Sequence, residues 1–215
     1  MNQSKTKYWL FGLFLALSTP GHATLILTNG APDQVSGDNM SDTLMAEDFT
    51  IGSSFLLSNI RFFSIQSAPG DYRGSVYWEI RDNTGGLPGS VVQGGVTAAI
   101  AAVATGNTTG FGYAEYVFDI PVSFQLSAGT YWLTLHNGVI GNNGSVEMLW
   151  STTAVGNGTA GVYTNLPLAG SPIWISTSQE HAFLLEGVGT PEPGSILMMV
   201  SGLAFVAFRQ RKTAA

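Results

Sequence analysis

Few side chains in this sequence have types and spacings that could support catalysis. After the first 23 residues the chain has only two histidines, His136 and His181, and it has no cysteine anywhere. The lack of cysteine excludes disulfides, a thiolate metal site and a cysteine nucleophile. There is no G-x-S-x-G elbow, no H-E-x-x-H helix and no Walker loop. The sequence therefore predicts no catalytic residues and no cofactor.

Two acidic side chains could still form a glycosidase pair. Glu79 and Glu115 both fall on the predicted outward faces of strands, and a glycosidase places two carboxyl groups about 5–10 Å apart in a cleft. The alternative is that both are solvated surface acids, which is the usual state of a carboxylate on a sheet. The first interpretation would make the protein a secreted carbohydrate-active enzyme on a β-sandwich scaffold.

Three aspartates in one polar segment could bind calcium. Asp33, Asp38 and Asp42 all lie between Asn29 and Asp42, a segment that we predict to be a loop. Calcium prefers oxygen ligands such as carboxylates, but the spacing of these three does not match an EF-hand loop. The sequence leaves two alternatives, a weak calcium site and a flexible acidic loop.

One predicted strand places a tryptophan on its polar side. Between Thr130 and His136, the apolar residues alternate in such a way that Trp132, Thr134 and His136 all point to the other face. An exposed ring can stack on the apolar side of a sugar while neighbouring polar groups bind its hydroxyls. The candidate glycan-binding residues are Trp132, Thr134, His136, Tyr77 and Glu79. The alternative is that this second face is also buried and that Trp132 belongs to the core.

The elements that would position these residues are short strands. Arg73 to Asp82 alternates cleanly, so that Val76, Trp78 and Ile80 face the core. Phe111 to Ile120 alternates as well and is predicted to end at Pro121. The alanine-rich segment Ala98 to Ala104 remains open between a helix, for which it is short, an edge strand and a loop. Nine or ten such strands predict an all-β fold, an antiparallel β-sandwich or jelly roll, flanked by an N-terminal signal helix and a C-terminal transmembrane helix.

The charges are few and unevenly placed. Between Thr24 and Thr190 the chain has three basic residues and thirteen acidic ones, a net charge of about −10, whereas the whole chain has −6. Such a surface repels phosphate backbones, so nucleic acid is excluded as a partner.

Both ends are predicted to be targeting segments. Residues 1–23 have a basic start, an apolar stretch from Tyr8 to Leu17, and small residues before a cut between Ala23 and Thr24, which is typical of a secretory signal peptide. The apolar run 194–208 would span about 22 Å as a helix, less than the bilayer core. The basic cluster after it nevertheless favours a membrane-inserted segment with the body outside; the cluster consists of Arg209, Arg211 and Lys212.

The C-terminal arrangement resembles the PEP-CTERM sorting domain of Gram-negative bacteria. Its parts occur in the family's order: Pro191, Glu192, Pro193 and Gly194, then the apolar helix, then the basic cluster. The resemblance implies that an exosortase, a membrane-embedded cysteine transpeptidase, processes the precursor. It also implies delivery to the cell surface or an exopolysaccharide matrix.

The body is similar to a β-sandwich domain found ahead of such tails, and that domain has no activity to transfer. The segments that carry this second resemblance are 47–50, 74–80 with 85–89, and 128–138.

These predictions define an exported, non-enzymatic surface or matrix protein that could bind exopolysaccharide. Its predicted partners are secretory signal peptidase, the exosortase, the inner membrane before processing, and polysaccharide. The predicted segments are a signal peptide (1–23), a β-sandwich domain (24–187), a linker with the Pro-Glu-Pro motif (188–194), a transmembrane helix (195–208) and a basic cytoplasmic tail (209–215).

Overall fold

The computed structural model of the protein describes residues 24–142, 144, 146–166 and 172–189. These residues contain thirteen β-strands and a single 3-10 turn, Pro69–Asp71. The strands are β1 Thr24–Thr28, β2 Pro32–Asn39, β3 Thr43–Ile51, β4 Phe55–Gln66, β5 Ser75–Thr84, β6 Leu87–Ala98, β7 Val103–Thr108, β8 Ala114–Leu126, β9 Gly129–Asn137, β10 Met148–Thr153, β11 Val162–Asn165, β12 Ile175–Ser176 and β13 Phe183–Gly189. The all-β prediction is confirmed.

The predicted signal helix and transmembrane helix fall outside the described residues. So do the sorting residues Pro191, Glu192, Pro193 and Gly194, the basic cluster, and Ala23 on one side of the predicted signal cleavage. In the part of the chain that the structure describes, no helix is long and apolar enough to cross a membrane.

The strands form two sheets, and within each sheet the ladders between neighbouring strands are antiparallel. Sheet 1 has the order β1-β13-β4-β10-β2, and β8 pairs with β4 and then with β7 on the other side. Sheet 2 has the order β12-β11-β3-β9-β5-β6. Consequently β7 is an edge of sheet 1 and β6 is an edge of sheet 2.

The core lies between the two sheets and follows the alternation of the sequence. In sheet 2, Ile80 pairs with Leu133 and Trp78 with Leu135 across the β5–β9 ladder, and all four side chains are buried. Phe49 of sheet 2 meets Phe183 of sheet 1 with ring centroids 6.0 Å apart. The contacts across the layers make the fold a β-sandwich, in which each sheet buries one apolar face.

One predicted loop contains a strand. The segment from Asn29 to Asp42 includes β2, which pairs with β10 although it has no apolar alternation. The predicted end at Pro121 is also wrong, since β8 continues to Leu126. Pro121 is placed opposite Asn59 at a register shift in the β4–β8 ladder, a position where a missing N–H is tolerated.

The segment Ala98–Ala104, left open by the sequence, connects the two sheets. β6 ends at Ala98, Ala99 adopts a left-handed conformation with φ of 57°, and β7 begins at Val103. Because only residues 99–102 separate the two strands, the edge of sheet 2 and the edge of sheet 1 lie on the same side of the sandwich.

Candidate functional site

The face of β9 that was expected to form a glycan platform is buried. Trp132 is 1% exposed, and Thr134 and His136 are completely buried, so the expected exposure of these three side chains is wrong and the alternative holds. Trp132 packs with Ala46 and Val162 of the neighbouring strands, together with Trp174; these residues form a second, smaller apolar cluster. The Trp132 indole Nε1 donates a hydrogen bond to Asn83 Oδ1 at 3.0 Å.

Tyr77 and Glu79 do lie beside this face, as predicted, but Glu79 is buried too. Its carboxylate accepts hydrogen bonds from the Tyr77 hydroxyl, from Arg81 Nε at 2.6 Å and from the Thr134 hydroxyl at 3.3 Å. Burial, together with the bond to Glu79, raises the pKa of Tyr77 well above its ordinary value of 10. These side chains hydrogen-bond to one another and form a network on the face of sheet 2 that points away from the main core.

His136 belongs to the same buried face. Its Nδ1 lies 3.2 Å from the Thr43 carbonyl oxygen. Burial lowers the pKa of His136 below its ordinary 6.5, because a charged ring is disfavoured away from water. A neutral, buried imidazole has no access to a sugar in solution.

The Glu79–Glu115 pair does not form a glycosidase site. Glu115 is buried rather than solvated, and its Oε1 accepts hydrogen bonds from Thr105 Oγ1 at 2.8 Å and Asn107 Nδ2 at 3.1 Å. Phe118 of β8 faces the core, so Glu115 lies on the outer face of sheet 1, whereas Glu79 lies on the outer face of sheet 2. The whole core separates the two carboxyl groups, which therefore share no cleft.

The three aspartates each have a different partner. Asp33 Oδ1 accepts from Thr152 Oγ1 at 2.9 Å, Asp38 Oδ2 lies 2.9 Å from His181 Nε2, and Asp42 Oδ2 accepts from Asn39 Nδ2 at 3.3 Å. Among the described residues, no group of three or more His, Cys, Asp and Glu side chains is arranged to hold a metal ion. Asp33 and Asp38 lie in a strand rather than in a flexible loop, Asp42 lies in the turn that follows it, and all three side chains bond to protein groups.

The structure reveals one charged cluster that the sequence did not suggest. The His181 ring lies between two carboxylates, with Nδ1 2.7 Å from Glu47 Oε2 and Nε2 2.9 Å from Asp38 Oδ2. The His181 backbone N–H also donates to Glu47 Oε2, at 2.9 Å. We call Asp38, His181 and Glu47 the buried triad. It links β3 of sheet 2 to β2 of sheet 1 and to the segment just before β13.

The electrostatics of the buried triad follow from its position. Glu47 and His181 have no exposed surface. Burial raises the pKa of Glu47 to about 7, although its bonds to His181 oppose the shift. Burial also disfavours the charged His181 ring, but the hydrogen bonds to Asp38 and Glu47 outweigh it and raise the pKa of His181 above 6.5. The ring then donates both N–H groups to carboxylates.

Close packing separates Glu47 and His181 from solvent, whereas the Asp38 side chain is 34% exposed. The Trp150 ring lies against His181 with centroids 4.9 Å apart. A Cβ at Gly161 would lie 2.7 Å from both Glu47 Oε2 and His181 Nδ1. The triad therefore has the composition of a catalytic relay but the position of a structural tie.

The comparisons with known proteins concern the tail rather than the sandwich. Residues 190–212 match the family model of the PEP-CTERM protein-sorting motif. The chain carries a PEP-CTERM sorting motif. The match covers the Pro191-Glu192-Pro193 signal and the basic cluster, and it confirms the resemblance inferred from the sequence.

The PEP-CTERM motif indicates an exported protein whose membrane-anchored precursor is processed by an exosortase. The signal cleavage between Ala23 and Thr24 stays a prediction; Thr24 itself is in β1, where its hydroxyl donates to the Gly187 carbonyl at 3.3 Å. A search of curated proteins found no match to the chain. The motif thus identifies how the protein is sorted, and the function of the sandwich must be argued from its geometry.

Proposed function

We propose that this PEP-CTERM protein is a non-enzymatic component of the cell surface or extracellular matrix, and that its β-sandwich is the delivered module. One observation carries the proposal: the side chains best suited to chemistry are buried and bonded to the protein itself. They are Glu47, Glu79, Glu115, His136 and His181. Groups held in this way stabilise the fold and are not available to a substrate.

Exopolysaccharide is the partner class that we propose for the delivered module. Its support is the sorting motif together with the net charge of about −10 over Thr24 to Thr190. A surface of this charge repels anionic polymers and favours neutral ones. The contact would use exposed surface, since Trp132 and His136 are in the interior.

The destination can be tested with the full-length chain in its own producing bacterium. We expect the wild-type protein in the surface or matrix fraction at the mass of the mature form. Replacing Pro191, Glu192 and Pro193 by alanine should hold the precursor in the membrane, while the exposed-turn control Pro69→Ala should behave as wild type. A wild-type protein that is processed but remains in the periplasm would refute the surface or matrix destination.

The non-enzymatic part of the proposal needs a separate measurement. The mature protein is incubated with the exopolysaccharide of the same bacterium, and both sedimentation with the polymer and release of reducing ends are followed. We expect co-sedimentation without cleavage. Cleavage of the polymer by the purified protein would replace the proposal with a carbohydrate-active enzyme.

A further inference from the structure

The edge strand β6 lacks most of the features that protect sheet edges. Natural edges are kept short, charged, bulged or covered, because an open row of N–H and C=O groups can pair with another strand. β6 is twelve residues long and contains no Asp, Glu, Lys or Arg. By contrast, the opposite edge of sheet 2 is β12, with two residues, and the edge strand β2 of sheet 1 carries Asp33 and Asp38.

The part of β6 that has neither proline nor charge is its C-terminal two thirds, 91–98. Pro88 and the register shifts of the β5–β6 ladder disturb pairing only up to Gln93, after which Gly94 to Ala98 pair regularly with β5. No other described strand pairs with the outer side of β6. Val91, Val92 and Val96 on this edge are 46–48% exposed, so apolar side chains accompany the free backbone groups.

Two of the three charged residues on the adjacent strand β5 neutralise each other, since Glu79 and Arg81 form an ion pair of 2.6 Å and are largely buried. The third, Asp82, accepts a hydrogen bond from the Ser90 N–H at 2.7 Å, near the N-terminal end of β6. The uncharged region continues beyond β6, because no Asp, Glu, Lys or Arg occurs between Asn83 and Ala114. This segment includes β7, the other edge on the same side of the sandwich, where Val103 is 54% exposed.

We propose that β6 pairs antiparallel with β6 of a second copy of the chain, about a two-fold axis, so that the two six-stranded sheets become one. A partner with a charged docking strand would find no opposite charge here. A second copy brings the same uncharged strand, and a two-fold axis makes one patch complementary to itself. It also brings together two strands without acids, so that two bodies of about −10 each meet along segments that carry no charge of their own.

A cysteine scan in the full-length chain tests this pairing, because the protein has no cysteine of its own. Single cysteines are placed at Val91, Val92, Gln93, Gly95, Val96 and Thr97. Gly94 is omitted because a Cβ there would lie 2.8 Å from the Trp78 carbonyl oxygen. In a two-fold pair only residues at the axis face their own copies, with Cα atoms about 4.5–5.5 Å apart, which suits a disulfide.

The expected result is a disulfide-linked dimer that forms at one or two neighbouring β6 positions and at least tenfold less at the others. Controls are Val35→Cys and Val155→Cys, which are more exposed, at 67% and 78%, and should remain monomeric. Equal dimer at the controls, no dimer in β6, or a cross-link to a protein of another mass would each overturn the proposal.

A lysine on the edge provides the second measurement. The substitution Val92→Lys is added to the cysteine variant that cross-links best; if that cysteine is at Val92, Val96→Lys is used instead. The lysine should remove at least nine tenths of the dimer, because it places like charges on both sides of the axis. Val35→Lys should leave the dimer unchanged. An unaffected dimer with the edge lysine would overturn the pairing through β6. Since the pairing depends on the fold alone, it would persist in a protein that failed to reach the matrix.

Discussion

The two sides of the sandwich use charge in opposite ways. At one side, charged groups are carried inside and joined: the buried triad connects sheet 2 to sheet 1 through Glu47, His181 and Asp38. At the other side, β6 and β7 have no charged residue and leave their outer backbone groups open. This chain has few charged residues. Its ion pairs lie where the two sheets are joined, and its charges are absent where we propose that a second strand is added.

The tied side extends beyond the triad to the adjacent loop. Glu180 accepts backbone hydrogen bonds from Asn157 and, at 2.9 Å, from Gly158. The Asn157 side chain in turn donates to the Asp48 carboxylate at 3.0 Å. A loop of small residues is thus fixed by two acids, and on this side the carboxylates act as ligands of backbone and amide groups rather than as a surface.

The largest expected effect comes from breaking the buried triad. Glu47→Ala should lower the free energy of unfolding by about 3–5 kcal/mol, because it leaves the buried Nδ1 and backbone N–H of His181 without their carboxylate partner. Urea denaturation of the mature protein measures the change. Asp42→Ala is the matched control, since Asp42 is an exposed acid in the same region and should change stability by at most about 0.5 kcal/mol. Equal stability of Glu47→Ala and wild type would show that the triad does not hold the sheets together.

A smaller effect is expected on the uncharged side, where backbone space is the limiting factor. A Cβ at Gly94 would lie 2.8 Å from both the Trp78 carbonyl oxygen and Glu79 Cγ, whereas at the neighbouring Gly95 the nearest atom is 4.0 Å away. Gly94→Ala should therefore cost about 1–3 kcal/mol as an overpacked site, and Gly95→Ala should be tolerated. The same denaturation experiment compares the two; similar losses would mean that the β5–β6 spacing adapts.

The alternation of side chains was sufficient to predict the central strands. Val76, Trp78 and Ile80 were assigned to the core from sequence and are buried there, because period-two apolar patterns report directly on burial. The strand β2 could not be found in this way. Its sequence, PDQVSGDN, has no apolar period, and it is held by pairing with β10, whose residues are more than a hundred positions away.

The buried residues of the second face were mispredicted for a related reason. Alternation tells which side chains share a face but not whether that face is covered, and Trp132 is covered by residues from β3, β11 and the segment containing Trp174. The triad could not be predicted from the sequence, since Glu47 and His181 are separated by 134 positions and neither belongs to a local motif. The sorting motif, in contrast, is contiguous, so the sequence alone was enough to recognise it.

The pH dependence of stability gives the finest distinction between the tied side and the uncharged side, since the pKa values of two groups in the buried triad are displaced close to neutral pH. Burial raises the pKa of Glu47 from 4.5 to about 7, and the two carboxylates raise that of His181 above 6.5. In both cases the folded protein binds the proton more tightly than the unfolded chain. The stabilisation is present at low pH and is lost as the pH rises, from about 4.5 through 7 for Glu47 and upward from 6.5 for His181.

We therefore compare the free energies of unfolding of wild type and Glu47→Gln between pH 5 and 8. The free energy of unfolding of wild type minus that of Glu47→Gln should decline as the pH rises, by about 1.4 kcal/mol for each unit by which a pKa differs between the folded and unfolded states. The corresponding difference for Gly94→Ala should stay constant over the same pH range. A difference for Glu47→Gln that is flat, or that grows as the pH rises, would mean that the folded protein does not bind these protons more tightly than the unfolded chain. The triad would then stabilise the sandwich by packing and hydrogen bonds alone, and its contribution would be as insensitive to pH as that of the side that bears β6.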